Sequence, residues 1–113
     1  MMRVGKERRR AYRISVMDLR VRIIGYGREF VARDLSVSGI GFLREDSPFK
    51  LAQMLQMDLL DGDEVVVQGL TGIVARVGMG VVGCAFLKMD EATLDSVASL
   101  VLRKQEEREG SKV

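Results

Sequence analysis

The 113-residue sequence contains no histidine and no tryptophan, one cysteine and one proline. Without histidine there is no Cys/His cluster of the kind that holds zinc, and no imidazole to activate a nucleophile. A single cysteine, Cys84, excludes an internal disulfide. No apolar stretch approaches the roughly 20 residues that cross a bilayer, and the charged opening lacks the apolar run of a signal peptide. The expected compartment is the cytosol. No pair of catalytic carboxylates, nucleophile with base, or set of metal ligands is visible, so the chain does not read as an enzyme and implies no cofactor. There is no internal repeat and no long linker.

What remains is enough for one domain with a real core, since 47% of the residues are hydrophobic. Charge is unevenly spread. Lys and Arg outnumber Asp and Glu by ten to four over residues 1–35, and the remainder runs eight to twelve. A positive field at the N-terminal third points to an anionic partner there.

Twelve glycines are spaced to suit turns between short strands, which makes the chain mainly β. In "RISVMDLRVRIIG", Ile14 and Val16 share one parity and Leu19, Val21 and Ile23 the other, a shift expected of a bulge near Met17 and Asp18. "GYG" at 25–27 supplies a turn, and "REFVARDLSV" and "GIGFL" read as strands. Residues 54–60 are ambiguous. Their residue types suit a helix, but Leu55, Met57 and Leu59 alternate, and strand is preferred. "EVVVQGLTGIVARV" and "VVGCAFLKM" flank "GMG" as a hairpin. Asp90 is a good helix N-cap, after which Leu94, Val97, Ala98 and Val101 share a face; beyond Leu102 the apolar stripe ends and the helix is expected to fray.

Two stretches carry the functional signal. "RRRAYR", residues 8–13, holds Arg8, Arg9, Arg10 and Arg13, and the four-residue spacing of Arg9 and Arg13 puts both on one side in a helix or a strand alike. Guanidinium forks suit phosphate oxygens and the O6/N7 edge of guanine. The bland alternative is a solvated basic terminus. In "DLSVSGIGF", Asp34 and Ser36 project from one face of a strand while Leu35 and Val37 can enter the core. The carboxylate can accept from guanine N1 and N2, the hydroxyl can serve a base or a phosphate, and Gly39 permits a tight turn or a close approach. Its bland alternative is a polar strand end leading into a glycine turn.

Together these stretches closely resemble the two-part signature of the PilZ family, R-x-x-x-R followed by D/N-x-S-x-x-G. Arg9 and Arg13 match the first motif; Asp34, Ser36 and Gly39 match the second. "GIVARV", "GCAF" and the closing apolar helix are similar to the family's later pattern, so the resemblance covers nearly the whole chain. It implies a six-stranded antiparallel β-barrel with a C-terminal α-helix that binds the bacterial second messenger cyclic di-GMP. The arginine segment, 1–13, would fold over the ligand and grasp phosphates and a guanine edge, with Asp34 and Ser36 holding a base from the barrel, about 14–89. The helix would occupy about 90–105 and a frayed tail 106–113. A basic residue at Arg8 is associated in the family with two intercalated ligand molecules. With Met1 close to Arg9 and nothing after the helix, a stand-alone protein is expected, acting through a downstream protein partner.

Other features have plainer readings. "GMGVVG", residues 78–83, matches the dinucleotide fingerprint G-x-G-x-x-G, but that motif opens a helix and here the chain continues as strand, so a hairpin turn is expected. Cys84 reads as a small buried residue, and "DGDE" at 61–64 as an exposed turn. Two competing functions are an interaction module of the same fold without a nucleotide, and a nucleic-acid-binding domain. The intact arginine motif weighs against the former, and the lack of an aromatic stacking row against the latter.

Overall fold

Glycine-marked turns cut the chain into short strands that curl around a continuous apolar interior. The computed structural model describes residues 13–44 and 48–110. Its elements are β1 (Ile14–Ser15), β2 (Leu19–Ile23), β3 (Glu29–Ser36), β4 (Gly39–Leu43), β5 (Met54–Asp61), β6 (Glu64–Gly78), β7 (Val81–Phe86) and the helix α1 (Glu91–Gly110). The ladder runs β3–β2–β5–β6–β7–β4, and pairing of β4 back to β3 closes it into a barrel of six antiparallel strands. Closure removes both sheet edges.

β1 is the start of the same strand as β2, interrupted by the expected bulge. Ile14 lies opposite Leu35 and Arg20 opposite Val31, so residues 15–19 face residues 32–34. The excess turns outward at Met17 and Asp18, where the Leu19 N–H donates to the Val16 carbonyl at 2.8 Å. Ile14 and Val16 before the bulge, and Leu19, Val21 and Ile23 after it, are all buried. The preferred strand at 54–60 is β5, with Leu55, Met57 and Leu59 inward. The G-x-G-x-x-G match is the two-residue β6–β7 hairpin. Gly78 pairs with Val81, and Met79 and Gly80 between them have φ of 54° and 78°. Both values are those of a type I′ turn, whose twist suits the flanking strands.

The interior is filled by side chains such as Leu19, Val21, Leu35, Ile40, Phe42, Met57, Leu59 and Val82, each fully buried. Around the β2–β3 turn and the loop before β5, Tyr26, Phe30, Phe42 and Phe49 stack together, with ring centroids 4.8 Å apart for Tyr26–Phe49 and 5.3 Å for Phe30–Phe42. The guanidinium groups of Arg28 and Arg44 lie 5.3 and 5.4 Å from the Phe30 ring. α1 contributes Val97 and Leu100 to the core.

The helix departs from expectation in two ways. Its buried stripe is Val97, Leu100 and Lys104, whereas Leu94 and Ala98 are exposed. It also continues through the region expected to fray, to Gly110. Both follow from Lys104, whose Nζ lies 2.6 Å from Asp18, 2.9 Å from Asp61 and 3.1 Å from Glu107. Arg103 adds a 3.1 Å contact to Asp61. This ionic anchor ties the second half of α1 to the β1–β2 bulge and to the end of β5, in place of the missing apolar stripe. Burial works against the Lys104 ammonium, but hydrogen bonds to Asp18, Asp61 and Glu107 and the charge of Asp18 outweigh it, holding the amine above its ordinary value. At the other end Asp90 is the N-cap, accepting from the Thr93 N–H at 2.8 Å. Hydrogen bonding from Thr93 lowers the Asp90 pKa.

Candidate functional site

The β3–β4 hairpin positions the second sequence motif. Ser36 pairs with Gly39, leaving Val37 and Ser38 as a two-residue loop. Asp34 and Ser36 do share the outward parity, because Leu35 between them pairs with the inward Ile40. Ser36, however, is fully covered rather than open. Its hydroxyl accepts from the Ser38 N–H at 3.1 Å and lies 3.0 Å from the Ser38 hydroxyl, so it closes the loop. Gly39 is required by close strand approach: a Cβ there would collide with the Cys84 carbonyl oxygen of β7.

Arg13, just before β1, reaches this hairpin. Its Nη1 donates to Asp34 Oδ1 at 2.6 Å, and its Nη2 would lie 3.2 Å from a Cβ at Gly39. The guanidinium therefore rests on the glycine. Asp34 in turn lies over Gly41, where a Cβ would be 3.0 Å from both carboxylate oxygens. Arg33 Nε stands 3.9 Å from the second oxygen. The last arginine of the first motif and two members of the second thus meet. Arg8, Arg9 and Arg10 lie outside the described residues.

Three further members of this surface are not apparent in the sequence motifs. The register sets Asp34 beside Gly41, Gly41 beside Gly83 and Gly83 beside Arg76, one outward row across β3, β4, β7 and β6. With no side chain on Gly41 or Gly83, Asp34 and Arg76 fold down over the row, and both glycines are buried beneath them, so the backbone there forms a shelf covered by a carboxylate at one end and a guanidinium at the other. The Arg76 side chain would be 3.7 Å from a Cβ at Gly83, ordinary contact distance. The signal that could have found the shelf is the pair Gly39 and Gly41 at alternate positions of one strand. Beyond it, a hollow of about 790 Å³ opens among Arg33, Leu43, Arg76 and Val81.

The chemistry of the shelf is that of binding. Arg13 and Arg33 stand against the Asp34 carboxylate and Arg76 lies at the other end of the row, so three guanidiniums to one carboxylate leave the surface positive. Once Asp34 and Arg76 swing off the glycines, a planar ring can lie flat on the backbone, its edge donors meeting Asp34 while the arginines meet oxyanions. The thiol of Cys84 faces the interior, and burial pushes its pKa up to about 11.

Comparison with known proteins accords with this architecture. Among solved structures, the Bacillus subtilis inhibitor of motility MotI/DgrA superposes with a TM-score of 0.67 at 13% identity over 84% of the present chain, which spans about half (49%) of that protein. The Legionella uncharacterized protein Lpg0364 superposes with a TM-score of 0.63 at 14% identity, over 87% of this chain and 98% of that one. A search of curated proteins finds no match. The family model described as the PilZ domain matches residues 7–103, and with that span covering most of its length the chain belongs to the PilZ domain family.

Proposed function

We propose that this protein is a bacterial cyclic di-GMP receptor that reads the dinucleotide with its arginine segment and the Asp34–Gly39 hairpin and passes the bound state to a protein partner. The observation that carries this reading is the Arg13–Asp34 ion pair seated on Gly39 and Gly41. In it a guanidinium suited to phosphate and a carboxylate suited to guanine N1–H and N2–H stand side by side over a glycine backbone.

Without ligand, Arg13 and Asp34 satisfy one another. A guanine edge arriving at Asp34 replaces the guanidinium, which is then released to a phosphate oxygen, so one charge-assisted pair becomes two. Gly41 and Gly83 let the base lie close to the backbone, and Arg76 and Arg33 flank it. Arg8, Arg9 and Arg10 add charge from the preceding segment, and Arg8 is the residue that would accompany a second ligand molecule. Ser36 acts chiefly by closing the loop that holds Asp34 and Gly39; its hydroxyl reaches a ligand only when the pair with Ser38 opens. The role is that of a receptor and adaptor in the cytosol, with no chemical step.

An NMR titration of the labelled protein with cyclic di-GMP tests it. Amide shifts should move at Asp34, Gly39, Gly41, Arg76 and Gly83 and stay fixed around Phe49. Arg13→Ala and Asp34→Ala should each weaken binding by about tenfold or more with the barrel intact, the loss expected of a hydrogen bond to a charged group. Shifts confined to another face, or variants that bind as wild type does, would refute the site. Affinity for long RNA or DNA that falls steeply with salt would favour the nucleic-acid reading instead.

A further inference from the structure

β6 carries a different structural feature at each of its ends. Just past its last residue, Met79 is 100% exposed at the tip of the β6–β7 hairpin and sits at φ 54°. That backbone region favours Asn or Gly, and a bare methionine there exposes a large apolar side chain in a disfavoured conformation. Val77, 38% exposed, lies beside it, and Arg33 and Arg76 line the same hollow. Arg76 has no ion-pair partner among the described residues. The tip is an apolar knob with a basic rim.

At the first residues of β6, where the strand meets α1, lies the complement. A groove of about 470 Å³ has Val65, Val66 and Leu100 among its walls and Glu64 and Asp95 at its mouth. Val65 is 37% exposed, so apolar surface faces the opening. Arg103 also lines the groove, but its guanidinium is held by Asp61 at 3.1 Å. Glu64 and Asp95 have no ion-pair partner among the described residues, which leaves the mouth acidic.

We infer that the protein self-associates head to tail, the Met79 knob of one copy entering the Glu64–Asp95 groove of the next. The charge signs of the two surfaces are opposite, and each exposes apolar side chains at its centre, Met79 and Val77 on the knob and Val65 in the groove, whose walls also include Ser96 and Ser99. A copy cannot satisfy both ends by itself, since knob and groove lie at opposite ends of one fifteen-residue strand. Such a heterologous contact differs from a two-fold dimer because each chain keeps a free knob and a free groove, and assembly proceeds as a ring or a short chain. One apolar anchor with rim charges makes a small interface, so the association is weak and favoured by low salt. It needs no nucleotide, but its basic rim is Arg33 and Arg76, which also flank the proposed ligand, so the sedimentation is done without nucleotide.

Sedimentation of the full chain over a range of concentrations, at low and at high salt, tests the inference with two variants. Met79→Asp destroys the knob and keeps the groove; the double change Glu64→Lys with Asp95→Lys reverses the groove's charge and keeps the knob. All three substituted positions are exposed, and circular dichroism should show that the barrel persists in each variant. The wild type is expected to associate with rising concentration and to lose association in high salt. Each variant alone should associate at least about tenfold more weakly, the range of a hot-spot loss. An equimolar mixture of the two variants should recover a two-chain species, because one supplies an intact knob and the other an intact groove. A wild type that stays monomeric up to its solubility limit overturns the inference. So do variants that associate like wild type, or a mixture that stays monomeric.

Discussion

At the scale of residues, three glycines in one patch differ in what a methyl group would meet, and the order of their sensitivities follows. Gly39→Ala sets a Cβ against the backbone carbonyl of Cys84. Backbone cannot give way cheaply, so a loss of about 2 kcal/mol is expected, in the range of overpacked cores. At Gly41 the obstacle is the Asp34 carboxylate, 3.0 Å from the built Cβ. A side chain can turn aside, so Gly41→Ala should cost about 0.5–1 kcal/mol, the low end for a point change, while weakening ligand binding through Asp34. Gly83→Ala meets only the Arg76 side chain at 3.7 Å and should be neutral in stability. Urea denaturation of the three variants checks the ranking, and an equal loss at all three would contradict the geometry. Cys84 offers a second test. With its pKa raised to about 11 by burial, the thiol should be inert to Ellman's reagent at pH 8 in the folded protein and react only as fast as the barrel opens. Arg13, Asp34 and Gly39 were legible in the sequence because their chemistry is written in short spacings. Ser36 was legible as a motif member but not as a buried one, since its cover depends on the loop that its own hydroxyl closes. Gly41, Gly83 and Arg76 become neighbours only through strand register, which no local pattern states.

Among the elements, α1 depends most on a single residue. Lys104 is 4% exposed and faces three carboxylates. Its partners are partly in water, with side-chain exposures of 59% for Asp18 and 53% for Glu107, so the anchor is worth less than a fully buried network. Lys104→Met is expected to cost about 1–2 kcal/mol, below the range for breaking a deeply buried pair, and to speed amide exchange selectively in residues 103–110. Uniform exchange along the helix in that variant would argue against an anchor. The pH dependence has a definite sign. The folded-state pKa is raised, so the stabilisation is fully present below the ordinary 10.5 and is lost only as pH rises through the higher folded value. Exchange rates of the last two helical turns, corrected for intrinsic rates, should therefore stay flat from pH 7 to pH 10. The start of this helix was legible because Asp90 is a capping residue ahead of an apolar period. Its end was not. A lysine among glutamates reads as a solvated face, and only the fold brings Asp18 and Asp61 to it. The bulge at Met17 and Asp18 was legible from the parity change alone, because a slipped register would otherwise turn Leu19, Val21 and Ile23 outward.

For the molecule as a whole, the strand order is what joins sequence-distant chemistry. Pairing of β3 with β4 and of β4 with β7 closes the barrel and in the same act lays Asp34, Gly41, Gly83 and Arg76 in a row. Periodicity and glycine spacing pointed to strands; the closed ring came from resemblance to the family, because alternation says which face is buried but not which strands are neighbours. The proposed function requires the shelf built by this closure, with the arginines around it, to be a selective cyclic di-GMP site. Isothermal titration of the purified chain with cyclic di-GMP, with GTP and cyclic di-AMP at the same ionic strength as controls, is the decisive test. Saturable binding of cyclic di-GMP alone is the predicted result, with two ligands per chain if Arg8 acts as proposed. A folded protein that gives no heat with cyclic di-GMP, or that binds all three nucleotides alike, would contradict it.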